Sequence, residues 1–115
     1  MQIENKQLLD FLGEVDKELP RMVSITAVGG TAMTLLKLKT STIDIDFNLN
    51  KEDNLIFRNA LKIIQPGFKI DLFVDGLIFS QQLPDDYSQK TILIKTTLQK
   101  IKLSALHPID IIATN

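Results

Sequence analysis

Residues 28–47 read VGGTAMTLLKLKTSTIDIDF, and this stretch decides the fold of the chain. The apolar residues that lead into it, at 23–28, predict a short buried strand that ends at a Gly-Gly pair. Good helix formers fill 31–39 and predict a helix, whereas 43–49 alternates apolar and polar residues and predicts a second strand. The domain is therefore expected to contain a strand, a glycine turn, a helix and a further strand in succession.

The segments on either side predict the remaining elements of the domain. Apolar residues at helical spacing predict amphipathic helices over 3–19 and 51–64. Further strands are expected at 68–74, 77–79, 91–96 and 99–105, with a tight turn at 75–76. This order predicts the α/β (α+β) class, with a mixed β-sheet and helices packed on one side of it.

One domain accounts for the 115 residues of the chain, because a chain of this length supports a single compact core. We assign residues 1–106 to that domain. His107 and Pro108 are residue types found at helix starts, so 107–115 is expected to begin a C-terminal helix that is cut short. This expectation implies a missing C-terminal helical segment, or a partner that takes its place.

Composition excludes several classes of protein and of site. No cysteine is present and His107 is the one histidine, so disulfide scaffolds, zinc–thiolate sites and multi-histidine sites are excluded. Any bound metal would therefore have oxygen ligands. The net charge of -1 gives no general attraction to nucleic acid. The lack of a long apolar run and of a signal peptide predicts no membrane association and a cytoplasmic location.

Three aspartates lie in apolar, strand-like settings. Residues two apart on a strand point to the same face, so Asp44 and Asp46 are expected to project together while Ile43 faces the core. Asp71 repeats this pattern in 68–74. If the two strands are neighbours, the three acids converge, and a divalent cation such as Mg²⁺ would remove their repulsion. The competing interpretation places Asp44 and Asp46 on the solvent side of an edge strand.

A glycine turn supplies the second candidate element. Gly29 and Gly30 stand at a strand-to-helix junction, where glycines let the backbone approach a ligand and a helix N-terminus offers N–H groups to phosphate. Thr31 adds a hydroxyl donor. The sequence lacks the lysine of a P-loop and the third glycine of a dinucleotide-binding fingerprint. A simple turn without a ligand is the alternative for this Gly-Gly pair.

A lysine-rich segment follows near the end of the chain. Residues 89–108 contain four lysines and no acid. Lys100 and Lys102 share the polar face of a predicted strand, where they would meet an RNA or triphosphate backbone. A solvated strand face is the alternative interpretation.

The order of these motifs resembles a known superfamily. Val28-Gly29-Gly30, thirteen further residues, Asp44-Ile45-Asp46-Phe47 and later Ile70-Asp71-Leu72 are similar to the hG[G/S]…DhDh…hDh pattern of polymerase β-like nucleotidyltransferases. GGTAMTLLKLKTSTIDIDF further resembles the AbiEii-like branch, which includes nucleotidyltransferase toxins of type IV toxin–antitoxin systems. The resemblance covers residues 23–75, and 100–115 more weakly.

The resemblance implies a polymerase β-like fold and the metal-dependent transfer of a nucleotide from an NTP, such as ATP, to a hydroxyl acceptor. RNA, tRNA, a protein or a small molecule would supply that hydroxyl. By position, the resemblance makes Asp44, Asp46 and Asp71 catalytic residues that hold two Mg²⁺ ions, with Mn²⁺ as a substitute. It implies nucleotide-binding roles for Gly29, Gly30, Thr31, Lys39 and Ser41.

Two features depart from the branch. Lys39 stands where its members usually have arginine, so a bidentate phosphate clamp is replaced by a point charge. The larger members also continue into a helical domain beyond the position of Asn115. Acceptor binding is therefore expected to depend on a segment or partner outside these residues.

Two other functions remain open from the sequence. A non-catalytic binding module with the same fold, antitoxin-like or scaffolding, is favoured by the missing C-terminal segment, whereas the three aspartates favour the enzyme. A calcium-binding module has little support, because no EF-hand spacing is present.

Overall fold

The structure is a computed structural model that describes residues 2–74, 77–78, 81–82 and 91–107. Within these ranges the helices are α1 (Asn5–Glu18), α2 (Gly29–Leu35) and α3 (Lys51–Ile64). The strands are β1 (Ile3–Glu4), β2 (Val23–Ala27), β3 (Ser41–Thr42), β4 (Ile45–Leu49), β5 (Ile70–Val74), β6 (Leu77–Ile78), β7 (Gln81–Gln82), β8 (Ile92–Leu93) and β9 (Ile101–Ala105). The predicted mixture of helices with a mixed β-sheet is confirmed.

The two long helices have clear start and stop signals. A capping box joins Glu4 and Gln7 at the start of α1, and Pro20 follows its end. At the start of α3 the Asn50 side chain accepts the N–H of Asp53 at 2.7 Å. Gln65 ends α3 in the left-handed conformation, with φ of 51°.

Five strands form the main sheet, in the order β5-β4-β2-β9-β8. The pairs β4–β5 and β2–β9 are parallel, whereas β2–β4 and β8–β9 are antiparallel. The helix α3 makes the crossover from β4 to its parallel neighbour β5, as parallel pairing requires. Two short ribbons, β1–β3 and β6–β7, stand beside this sheet.

One face of the sheet carries the hydrophobic core. Alternate residues of the strands join the buried sides of all three helices in a single cluster. Its members from the sheet are Val23, Ile25, Ala27, Ile45, Phe47, Leu49, Ile101, Leu103 and Ala105. Phe57 of α3 packs edge-on against Phe47, with ring centroids 6.0 Å apart. The opposite face is therefore where polar strand residues, including Asp46 and Asp71, project.

Asp53 ties the start of α3 to the sheet. Its buried carboxylate accepts the N–H of Ser24 at 3.1 Å and pairs with Arg21 at 2.9 Å. Because the carboxylate has partners for both oxygens, it fixes where α3 enters the fold.

The structure corrects several predicted boundaries, and two of them bear on the candidate site. The strand expected over 43–49 begins only at Ile45, and Ile43 is 68% exposed rather than in the core. Hydrogen bonds to the main chain of Asp44 hold the preceding residues out of the sheet. The helix expected from Thr31 begins at Gly29. The predicted turn at 75–76 and residues 108–115 of the predicted C-terminal helix lie outside the described residues.

Within the described ranges, no helix combines the length and the hydrophobicity that crossing a bilayer requires.

Candidate functional site

A cleft of about 520 Å³ lies at the edge where β2 turns into α2. The β1–β3 ribbon forms one wall, because Ile3 pairs with Thr42 and brings the N-terminus beside the aspartate segment. The residues that line the cleft are Gln2, Gly30, Lys39, Thr40, Ser41, Thr42, Ile43, Asp44 and Asp46. Five of these were predicted as site residues from the sequence: Gly30, Lys39, Ser41, Asp44 and Asp46.

Two of the three predicted aspartates meet across neighbouring strands. Asp46 of β4 stands directly opposite Asp71 of β5 in a parallel pair, so their side chains share one face of the sheet. Asp46 is 7% exposed, and no hydrogen-bond partner among the described residues reaches its buried Oδ1. Lys69 pairs with the more exposed Asp71 at 3.6 Å. A buried oxygen without a partner is rare, and it marks a place where a ligand would be stabilising.

Burial and neighbouring charge raise the pKa of Asp46. Loss of solvent is the largest cause, followed by the charges of Asp71 and Asp44 and by a side-chain hydrogen bond with Asp71. Lys69 opposes these effects, and the resulting pKa is about 6, against an ordinary value of 3.8. A proton is therefore held on Asp46 to a higher pH than on a solvent-exposed aspartate.

Asp44 lies at the rim of the cleft and not in the sheet. Its side chain is exposed, whereas its carbonyl oxygen accepts hydrogen bonds from two hydroxyls, Thr31 at 3.2 Å and Thr42 at 2.9 Å. The expected convergence of three carboxylates is formed only in part. In the described part of the chain, no three acidic or histidine side chains stand close enough together to hold a metal ion.

The two glycines at the turn meet different structural needs. Gly29 has a φ of 56°, in the left-handed region that favours glycine, and it starts α2 directly after β2. A Cβ on Gly30 would stand 2.7 Å from the Thr42 hydroxyl oxygen, so the missing side chain allows the β3 segment to approach α2 closely. Gly30 lines the cleft and Gly29 does not.

Thr31 lies beneath the cleft. Its side chain is fully buried, and its hydroxyl also accepts the N–H of Asp46 at 2.8 Å. The structure thus places this predicted nucleotide contact inside the protein, where its hydroxyl donor and one of its two acceptor sites are used.

The predicted contacts from the connector after α2 lie on the cleft wall. The Lys39 Nζ stands 3.9 Å from the position that a Gly30 Cβ would occupy, and no described acidic side chain forms an ion pair with it. The Ser41 hydroxyl donates to the Gln2 side chain at 3.4 Å, a long contact. One ammonium group, that of Lys39, therefore lines the same cleft as Asp44 and Asp46.

Sequence reasoning missed four cleft residues, which are Gln2, Thr40, Thr42 and Ile43. Gln2 reaches the cleft only through the β1–β3 pairing of distant segments, for which the sequence carries no local signal. Of the two lysines proposed for a polyanion, Lys100 donates its Nζ to the Leu19 carbonyl at 2.9 Å and so supports the fold. Lys102 is exposed on β9.

A scan against protein-family models, a search of curated proteins and a search of solved structures found no match to this chain.

Proposed function

We propose that this chain is the core of a metal-dependent nucleotidyltransferase with a polymerase β-like fold. It would transfer a nucleotide from an NTP to a hydroxyl acceptor. The observation that carries the proposal is the pairing of Asp46 with Asp71 on adjacent strands, with a buried carboxylate oxygen that has no partner in the described part of the chain. Carboxylates in such a pair repel each other when both are charged, and a divalent cation relieves that repulsion.

The carboxylate oxygens of the paired aspartates are the donor type that a hard divalent cation such as Mg²⁺ or Mn²⁺ prefers. Asp46 and Asp71 would hold the ion through carboxylate oxygens, and Asp44, whose charge already acts on Asp46, would join them from the rim. The resemblance to nucleotidyltransferases calls for two ions. A bound cation would neutralise charge on the transferred phosphoryl group and its leaving pyrophosphate.

The remaining cleft residues suit the triphosphate of an NTP. Lys39 places a cation beside Gly30, and both residues line the cleft in which a phosphate would bind. Ser41 adds a hydroxyl on the same wall. Lys39 carries one point charge, so we expect it to contribute affinity without the planar geometry that arginine gives.

The acceptor would be RNA, tRNA, a protein or a small molecule, bound with help from a C-terminal helical segment or a partner chain. We place the reaction in the cytoplasm. Holding two reactants in the productive geometry supplies on the order of several kcal/mol of the barrier reduction. We therefore expect these 115 residues to bind NTP even where their rate of nucleotide transfer is low.

The test is calorimetric titration of the chain with each NTP, with and without Mg²⁺, followed by transfer assays with labelled NTP and candidate acceptors. We expect binding that requires Mg²⁺, weakens about tenfold in Lys39→Ala through loss of one charge contact worth roughly 1–2 kcal/mol, and is lost in Asp46→Asn. Asp10→Asn, an exposed aspartate on α1, is the matched control and should bind as wild type does. Absence of NTP binding together with tight binding of a protein partner would instead establish the non-catalytic binding module.

A further inference from the structure

One buried hydroxyl controls the main chain between two of the site aspartates. The Thr31 hydroxyl donates to the Asp44 carbonyl at 3.2 Å and accepts the Asp46 N–H at 2.8 Å. It therefore holds the chain on both sides of Ile45 at once. Because the Thr31 side chain is fully buried, solvent does not compete for these bonds.

A second hydroxyl completes this arrangement. Thr42 donates to the same Asp44 carbonyl at 2.9 Å, so both lone pairs of that oxygen are used. The Thr42 hydroxyl also lies against Gly30, where a Cβ would stand only 2.7 Å from the hydroxyl oxygen. The Gly-Gly-Thr turn therefore helps to fix the conformation of the segment that contains Asp44 and Asp46.

These bonds act where β4 begins. Asp44 is held outside the sheet, and two residues later Asp46 is paired with Asp71 of β5. A shift of one residue in this register would turn the Asp46 side chain to the opposite face of the sheet. The Thr31 hydroxyl forms its hydrogen bonds with the main chain at the start of β4, where this register is set.

We propose that Thr31 is a positioning residue, whose hydroxyl fixes the main chain of Asp44 and Asp46 and thereby holds the Asp46 carboxylate against that of Asp71. This inference rests on the proposed function in one respect only, namely that the two carboxylates bind a cation. It replaces the direct phosphate contact that the sequence predicted for Thr31.

The test is the energetic coupling between Asp46 and Asp71, measured by the urea unfolding of Asp46→Asn, Asp71→Asn and the double variant. The cycle is repeated in Thr31→Val, Thr31→Ser and Thr34→Val. Thr34 is the matched control, because it is a fully buried threonine of α2 whose hydroxyl bonds only the Gly30 carbonyl, at 2.8 Å. Thr31→Ala replaces Thr31→Val if the valine variant does not fold.

We expect the Asp46–Asp71 coupling to fall by more than half in Thr31→Val and to be retained in Thr31→Ser, which keeps the hydroxyl. Thr34→Val should lose stability and keep the coupling. Full coupling in Thr31→Val, or an equal loss in Thr34→Val, would overturn the inference, since Thr31 would then support only the fold.

A cation-binding measurement distinguishes a failure of this inference from a failure of the proposed function. In a Mn²⁺ titration, affinity should fall at least tenfold in Thr31→Val and remain within twofold of wild type in Thr31→Ser and Thr34→Val. If wild type binds no Mn²⁺, the proposed function is refuted, while the coupling still decides whether Thr31 positions the two carboxylates.

Discussion

Replacing Asp46 by asparagine should stabilise the protein, although the residue lies at the centre of the candidate site. Burial and the neighbouring acids raise the pKa of Asp46 from 3.8 to about 6. One pKa unit corresponds to about 1.4 kcal/mol, so the charged carboxylate destabilises the folded state by roughly 3 kcal/mol above pH 6. Asparagine keeps the shape of the side chain and removes this charge.

The pH dependence has a definite sign. Because the pKa of Asp46 is higher in the folded chain than in the unfolded chain, the folded state binds the proton more tightly between about pH 4 and pH 6. The contribution of Asp46 to stability therefore falls as the pH rises through that window. The advantage of Asp46→Asn over wild type should be small at pH 4 and reach about 3 kcal/mol at pH 7.

Urea unfolding followed by far-UV circular dichroism, in EDTA at constant ionic strength, measures this difference at each pH. Asp10→Asn should follow wild type throughout, which controls for the loss of a carboxylate as such. The reasoning is refuted if Asp46→Asn is less stable than wild type at pH 7, or if its advantage does not change between pH 4 and pH 7.

Four further substitutions test the supporting structure by the same unfolding assay. Gly30→Ala should lower the free energy of unfolding by about 1–3 kcal/mol, because its Cβ would crowd the Thr42 hydroxyl. Gly13→Ala, in open space on α1, should raise it by about 0.5–1 kcal/mol. Equal effects of the two substitutions would contradict the crowding at Gly30. Lys37→Gly should gain about 0.5–1 kcal/mol, because Lys37 has a left-handed φ of 63° just after α2; a loss would show that its side chain stabilises the fold. Asp53→Ala should lower the free energy of unfolding by about 2–3 kcal/mol, because it removes the half-exposed ion pair with Arg21 and the hydrogen bond to β2. A loss below 1 kcal/mol would contradict the role of Asp53 in joining α3 to the sheet.

The pairing of Asp46 with Asp71 was predictable from the sequence. Both residues alternate with apolar neighbours, so strand parity gave the face of each side chain. The 14-residue helix α3 between their strands fits a crossover connection, which makes the strands parallel neighbours. Local pattern and chain connectivity were therefore sufficient for the face of each side chain and for the crossover, whereas the adjacency of the two strands was a condition of the prediction that the structure meets.

The position of Asp44 was not predictable, because alternation continues through residues that are not in the strand. Ile43 has the residue type of a core position, yet hydrogen bonds from Thr31 and Thr42 to the Asp44 carbonyl bend the chain away from β4. The bond from Thr31 joins residues 13 apart in the sequence. The Thr42 hydroxyl occupies space that the missing side chain of Gly30 leaves. Periodicity records local conformation and carries no information about such contacts.

The central claim is that Asp46 and Asp71 bind a divalent cation together. Its most direct test is a Mn²⁺ titration of the 115-residue chain, with the free ion measured by electron paramagnetic resonance and Mg²⁺ added in competition. We predict binding by wild type and by Asp10→Asn, displacement by Mg²⁺, and at least a tenfold loss of affinity in both Asp46→Asn and Asp71→Asn. Equal Mn²⁺ affinity in wild type and these two variants, or no binding at millimolar Mn²⁺, would contradict the claim.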